Sequence, residues 1–470
     1  MSPQALSPTL FAGKRALVMG LGIHGGGLGV ARFLATHGAA VTVTDLRGAE
    51  LLAEPMARLA DLPIRYVLGE HREEDFTDTD LVVRNPAVPR ESPLLAAARA
   101  AGVPIEMEMS LFFRYCPAPI IGVTGTKGKT TTTSLCAAML TAWRADAVVA
   151  GNMGISALEQ LDAITPETPV VIELSSWQLE GLAEYGLSPQ IALVTNLSPD
   201  HLNRYATMDD YAEAKRGIVR GQSARDVAIL NRDDPVIWGF REATAARVVP
   251  YGMRGEGGDE AWLSDELLHW RLGDTQWSAP RASLRLPGAH NAINALAAGL
   301  AALLRGAPFA AVEHGLASFA GVKDRLESLG EVDGVEYIND TTATAPAAAA
   351  AALRAMTKPT VLIAGGSEKH TDFAEFAAVA ASVPKAIVLL GGDSLERLTR
   401  ALLDAGLDPA RLHRAAESME EAVQWARGLA APGDVVLLSP ACASFGMFRN
   451  EFHRGEKFRE AVAGLARGGG

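Results

Sequence analysis

An apolar run at residues 120–123 leads into Thr124-Gly125-Thr126-Lys127-Gly128-Lys129-Thr130, and a helix-like segment follows from about 129 to 143. This order restricts the fold more than any other stretch. The run reads as a buried parallel strand, and strand, glycine loop, Lys-Thr and helix together read as a phosphate cradle. Glycines let backbone N–H groups turn inward, and the helix N-terminus adds partial positive charge. Lys129 is placed to reach the β- and γ-phosphates of a nucleotide, and the Thr130 hydroxyl to ligate Mg²⁺. Gly125, Thr126, Lys127, Gly128 and Thr131 complete the expected cradle. The strict pattern G-x-x-x-x-G-K-[ST] is missed at one place, where Val123 replaces its first glycine. The alternative is a glycine-rich turn that binds nothing.

The cradle has to work in an acidic chain. A formal net charge of −12 argues against a nucleic-acid backbone as the main partner, so local cations and amides must hold any anion. The 470 residues exceed one core and suggest about three domains. Three cysteines, Cys116, Cys136 and Cys442, are widely separated and form no C-x-x-C, which points to a reducing compartment and a cytoplasmic location. Residues 1–15 hold no apolar signal core, and the Ala-rich stretches are too short or too interrupted to span a bilayer.

Ahead of the cradle, a strand at 15–19 runs into Gly20-Leu21-Gly22-Ile23-His24-Gly25, a helix pattern to about residue 37 and a second strand ending at Asp45. This is the opening βαβ of a dinucleotide-type fold. NAD is one reading. The motif by itself says only that a phosphate-bearing ligand can sit at a helix N-terminus. Asp45 could accept hydrogen bonds from a base or a ribose, or cap its strand. A further strand at 81–83 ends in Arg84-Asn85-Pro86-Ala87.

Beyond the cradle, strands at 169–174 and 191–196 end in polar residues at the expected carboxyl edge of a parallel sheet, where α/β proteins place their chemistry. Glu173 and His201 are candidate ligands for a divalent cation beside the phosphates; a strand cap and a surface histidine are the plain alternatives. Lys215 lies on a helix expected at about 208–219, and a lone helical lysine is usually solvated. Trp262, Trp270 and Trp277 alternate with polar residues and suggest short antiparallel strands. An Ala/Leu helix then runs to about residue 304, with Asn291 and Asn294 at its start able to face a purine. From residue 322 onward, strands at 335–338, 360–364, 386–390 and 435–438 alternate with Ala-rich helices and describe a doubly wound α/β domain.

Taken together, the chain resembles the Mur ligase family over nearly its whole length. The resemblance rests on the cradle, Gly151-Asn152-Met153-Gly154 and Glu173-Leu174-Ser175-Ser176-Trp177-Gln178. It rests also on Asp200-His201-Leu202-Asn203-Arg204-Tyr205, Gly288-x-His290-Asn291-x-x-Asn294 and Ser439-Pro440-Ala441-Cys442-Ala443-Ser444. It implies three α/β domains: a Rossmann-like UDP-substrate domain over 1–108, a central P-loop ATPase domain with a parallel sheet over 109–321, and a Rossmann-like glutamate domain over 322–470. The implied activity is ATP-dependent amide ligation through an acyl phosphate. It adds glutamate, expected as the D isomer, to UDP-N-acetylmuramoyl-L-alanine in peptidoglycan precursor synthesis. ATP and Mg²⁺ at two sites are the implied cofactors, and a monomer is expected.

The resemblance also implies roles. Lys129, Glu173, His201 and Lys215 would be catalytic, with Lys215 carbamylated; Thr130, Glu173, His201 and Lys215 would serve the metals. Asn291, Asn294, Arg325 and Asp340 would join the cradle in holding ATP. Ile23, His24, Asp45, Arg47, Asn85 and Asn152 would hold the UDP substrate. Thr344, Lys369 and Ser444 would hold glutamate, with an exposed loop lysine as the plain alternative for Lys369. The chain departs from the family pattern at Thr342, where a lysine is common, at Asp324 before Arg325, at Asn203, and over 445–452. These departures bear on the amino-acid pocket, leaving L-glutamate and a folylpolyglutamate-synthase-like ligation as alternatives.

Overall fold

The computed structural model describes residues 6–22, 26–86, 88–151, 156–199, 205, 207–286, 288–367 and 372–468. They form three sheets in two compact units, residues 1–319 and 320–470.

The first sheet comprises β1 (Arg15–Met19), β2 (Ala40–Asp45), β3 (Arg65–Leu68), β4 (Leu81–Arg84) and β5 (Ile105–Glu106), in the order β3-β2-β1-β4-β5. All its pairings are parallel. Strand order reverses between β1 and β4, the position at which open α/β sheets bind ligands. Helix Gly26–Thr36 follows the glycine loop.

The second sheet contains β6 (Ile120–Thr124), β7 (Val148–Gly151), β8 (Val170–Glu173), β9 (Ile191–Val194), β10 (Val227–Asn231), β11 (Arg247–Gly252), β12 (Glu260–Ser264), β13 (Leu267–Leu272) and β14 (Thr275–Pro280). Its order is β14-β13-β12-β11-β10-β9-β6-β8-β7. The cradle strand β6 is central, with β8 and β9 on its flanks, and its register sets Val123 opposite Glu173 and Thr124 opposite Val194. Side chains alternate between two cores. Ile120, Ile172 and Val194 enter one with Leu179 and Ile218; Ile121, Val123 and Leu193 enter the other with Leu135 and Leu296. Burial on both faces is why these strands read as unbroken apolar runs. The first core also takes in Val18, Phe33 and Phe112 and continues into the first sheet's layers.

The three tryptophans lie on β12, β13 and β14, which pair antiparallel as the alternation predicts. Trp270 is fully buried, and its Nε1 donates to Leu296 O at 2.9 Å. It packs on the Ala-rich helix Ala289–Arg305 at Gly299, where a Cβ would stand 2.7 Å from that nitrogen.

The third sheet comprises β15 (Glu327–Val332), β16 (Val335–Asn339), β17 (Thr360–Gly365), β18 (Ala386–Leu390), β19 (Leu412–Ala416) and β20 (Val435–Leu438), in the order β15-β16-β20-β17-β18-β19. β15 is antiparallel to β16; the other pairings are parallel. The long helix Glu451–Gly468 follows β20.

Candidate functional site

The cradle occupies the carboxyl edge of the central sheet, and two glycines are essential to its shape. Gly125 has φ +145°, and a Cβ there would stand 1.9 Å from Thr195 Oγ1. Gly128 is left-handed at φ +78°, and a Cβ would stand 2.6 Å from Asn294 Oδ1. Helix Lys129–Trp143 starts immediately after it. An α-helix leaves its first four N–H groups without intrahelical partners, so this start presents donors to an anion.

The loop is held from the strand beside it. Thr126 N donates to Asn196 O at 2.8 Å and Lys127 N to Asn196 Oδ1 at 2.9 Å. Asn196 Nδ2 returns a bond to Lys127 O at 2.9 Å, and Thr195 Oγ1 donates to the same carbonyl at 2.7 Å. Asp234 fixes the segment after β9 by accepting from Leu197 N at 2.7 Å. The amides of Thr126 and Lys127 therefore shape the loop, and the helix's first turn offers further donors to an anion.

Lys129 folds over the loop, with Nζ donating to Gly125 O at 3.1 Å and Thr126 O at 2.9 Å. Thr130 and Thr131 are half-buried, and Lys127 is exposed. Lys215 is buried at 1% exposure; Nζ donates to Gly125 O at 2.7 Å and lies 4.7 Å from the centre of the Tyr211 ring. Its helix, Met208–Arg220, starts in a capping box formed by Thr207 and Asp210, which fixes its first turn. Glu173, also 1% exposed, ends β8 beside β6. Asn294 stands over Gly128 and donates to Asn291 Oδ1 at 3.3 Å. The structure thus gathers Lys129, Thr130, Glu173, Lys215 and Asn294 around or next to one glycine loop.

At the switch point of the first sheet, Asp45 Oδ2 accepts from Gly22 N at 3.4 Å, and Oδ1 accepts from Arg47 N at 3.0 Å and Nε at 3.1 Å. Asn85 lies against the glycines: a Cβ on Gly20 would stand 3.1 Å from its own Cβ. Asp45, Arg47 and Asn85 therefore meet at one loop.

The junction between the first and second sheets holds a half-buried acid. Glu108 Oε1 accepts from Ser156 Oγ at 2.6 Å and Ala157 N at 3.0 Å, with the start of helix Gly26–Thr36 alongside. Burial, only partly opposed by those bonds, pushes its carboxyl up to about 7. The folded state favours neutral Glu108, so its contribution is present below the unfolded value of 4.5 and is lost as pH rises through about 7. Glu108→Gln keeps the acceptor and stays neutral. The side chain retains some solvent exposure, so we expect a gain of only about 1–2 kcal/mol, which sets in above the unfolded value of 4.5 and is complete above about 7. Thermal denaturation should match wild type at about pH 4 and exceed it at about pH 8; an equal shift at both would contradict this account.

In the second unit, Asp340 follows β16 and is nearly buried. Ser439 Oγ donates to Oδ2 at 2.8 Å and Leu326 N to Oδ1 at 3.2 Å. Burial raises it to about 6, against these bonds and the Arg325 charge. Arg325 is exposed and Thr344 half-buried. Ser444 is buried in the loop after β20. Thr342 Oγ1 donates to Asp324 O at 2.8 Å, so this departure from the family pattern ties the loop to the start of the unit.

Ile23, His24, Asn152, His201 and Lys369 lie outside the described residues. Among the described residues, no group of three or more His, Cys, Asp and Glu side chains could hold a metal ion. Nor is any helix among them long and apolar enough to cross a membrane. Sequence reasoning missed Asn196, Asp234, Glu108 and Arg454, whose partners are distant in sequence. The one usable signal was Asn196 itself, a polar residue directly after a buried strand.

Three family models match: a Mur ligase MurD-like N-terminal domain over 14–106, a Mur ligase middle domain over 123–302, and a Mur ligase glutamate ligase domain over 324–442. The chain is 53% identical to a UDP-N-acetylmuramoylalanine–D-glutamate ligase of Roseiflexus sp. (strain RS-1), covering 96% of this chain and 98% of that protein. It is 42% identical to one of Symbiobacterium thermophilum, covering 96% and 98%. Among solved structures, a UDP-N-acetylmuramate-alanine ligase from Thermotoga maritima shares the fold at 22% identity and a TM-score of 0.61, covering 96% of this chain and 99% of that one. Sequence, cradle and sheet order agree: the chain belongs to the Mur ligase family.

Proposed function

We propose that this chain joins D-glutamate to UDP-N-acetylmuramoyl-L-alanine with hydrolysis of ATP to ADP, in peptidoglycan precursor synthesis. The observation that carries the reading is the 53% identity, over 96% of the chain, to a protein named for that reaction. In this reading residues 1–108 hold the UDP moiety through Asp45, Arg47 and Asn85, with Ile23, His24 and Asn152 completing that site. Residues 109–321 hold ATP, and residues 322–470 hold glutamate through Thr344, Lys369 and Ser444. The enzyme acts as a cytoplasmic monomer.

A carboxylate is a poor electrophile. The L-alanyl carboxylate oxygen attacks the γ-phosphorus of ATP, ADP leaves, and an acyl phosphate forms. The neutral glutamate amine then attacks its carbonyl carbon, phosphate leaves with the C–O bonding pair, and the nitrogen loses its proton. Little covalent work falls to the protein in phosphoryl transfer, so positioning and charge dominate. Lys129 and the first-turn amides offset charge on the phosphates, and Asn294 lies beside the cradle over Gly128. The Gly125 and Gly128 cradle, which a Cβ would fill, fits a polyphosphate.

In this reading two Mg²⁺ ions would be held at the same edge. Thr130 would serve the first; Glu173, His201 and a carbamate on Lys215 would serve the second, oxygen-rich apart from the histidine. When bound, the metal ions offset negative charge on the phosphate oxygens. The carbamate forms when neutral Lys215 Nζ attacks CO₂ and loses a proton.

Phosphate release with ATP, UDP-N-acetylmuramoyl-L-alanine and either glutamate isomer tests the whole reading. Release is expected with D-glutamate and to be at least about a hundred-fold slower with L-glutamate at equal concentration. Preference for L-glutamate, or release independent of the muramoyl nucleotide, would overturn it.

A further inference from the structure

Arg454, in the first turn of helix Glu451–Gly468, has no exposed surface. Its Nε donates to Thr341 Oγ1 at 3.1 Å, and Nη2 to Thr341 O at 3.0 Å and Cys442 O at 3.3 Å. Nη1 donates to Cys442 O at 3.2 Å and Ala443 O at 3.1 Å. Every one of these acceptors is a neutral oxygen. Burial draws the guanidinium down to about 10, opposed by Cys442 and Glu451, so it stays charged at neutral pH.

A buried cation without a hydrogen-bonded carboxylate is a poor way to fill a core, since an apolar side chain avoids the desolvation cost. What the guanidinium supplies is a rigid planar fork that spans two loops. One is the loop after β16, where Thr341 follows Asp340 and precedes Thr342 and Thr344. The other is the loop after β20, where Ala443 precedes Ser444. Bonding to Ala443 O fixes the peptide plane that leads into Ser444. The same carbonyl accepts Ser367 N at 2.9 Å, which draws in the loop after β17. The approach is close: a Cβ on Gly455, the next residue, would stand 2.2 Å from Asp324 Oδ1 and 2.7 Å from Thr341 Cγ2. On the same helix, Arg459 Nη1 pairs with Asp324 and Glu327, both at 2.8 Å.

We infer that Arg454 is a positioning residue for the amino-acid acceptor, holding the loops of Thr341 and Ala443 so that Thr344 and Ser444 face one glutamate. The inference rests on the glutamate-ligase reading above. Asp340 has separate anchors in Ser439 and Leu326, so the nucleotide side should feel the change less.

The test measures KM for D-glutamate, ATP and the muramoyl nucleotide in the full-length enzyme. Arg454→Lys keeps the charge but loses the fork. It should raise KM for D-glutamate about ten-fold while leaving the other two within about two-fold. An unchanged glutamate KM, or an equal rise in all three, overturns the inference, the latter because it marks general loosening. If Arg454→Lys does not fold, Thr341→Val decides. At nearly constant volume it removes the acceptor of Arg454 Nε together with the bond from Thr341 Oγ1 to Glu451 O at 2.8 Å, both of which tie the loop to this helix, and a glutamate KM that rises alone, by a smaller factor, supports the inference; an unchanged one overturns it. Wild-type enzyme inactive with D-glutamate would instead overturn the ligase reading itself.

Discussion

Lys129→Ala is expected to abolish ligation and leave the fold intact. The side chain is half-buried, and its described bonds go to carbonyls of its own loop, Gly125 and Thr126. The loop keeps its bonds to Asn196 and Thr195 without it. Thermal stability should therefore change little. What disappears is the cation that the proposed mechanism sets against the phosphates, in a reaction whose barrier falls mainly through charge stabilisation and positioning. Loss of one such preorganised group costs about 10²–10³-fold in turnover, and a full cation should lie at or above the upper end. Phosphate release at saturating ATP measures it. A folded variant with near-normal turnover would remove Lys129 from the mechanism.

Replacing Lys215 should cost nearly as much, and the choice of replacement separates two roles. As an ammonium, Lys215 braces the loop through Gly125 O at 2.7 Å and sits over Tyr211. As a carbamate it supplies an anionic oxygen of the kind Mg²⁺ prefers. Arginine keeps the cation but cannot be carbamylated. If the carbamate carries the function, Lys215→Ala and Lys215→Arg both lose about 10²-fold or more, and small carboxylates such as acetate partly restore the alanine variant. Wild-type activity should also fall in CO₂-free buffer and return with bicarbonate. Retained activity in Lys215→Arg, with no effect of CO₂, would make the ammonium brace the working form.

Local chemistry reached a good part of the result. The cradle strand, its glycines and the helix after them are contiguous, and left-handed Gly128 with its Lys-Thr successor is legible because the phosphate geometry depends on neighbours in sequence. The buried strands β8, β9, β17, β18 and β20 were legible as apolar runs because both their faces are covered. The strands missed include β15 and β19, which lie at sheet edges and carry polar residues, and also β3, β7, β10 and β11, of which β10 is an interior apolar run that no pattern singled out.

The site's long-range groups were a different matter. Lys215 read alone as a solvated helix face, because nothing near it in sequence says that its helix packs with the cradle on its buried side. Asn196 lies 69 residues from the amide it clamps, and Arg454 lies 113 residues from Thr341. Thr342 showed only as a missing lysine until its bond to Asp324 gave it a partner. Sequence alone determined where the chain could turn, which stretches had to be buried and which family they belong to. Which side chain braces which loop was decided by tertiary structure alone, because a hydrogen bond or buried charge is set by distance in space, and the strand order that brings each sheet's loops to its own edge is not contained in any local pattern.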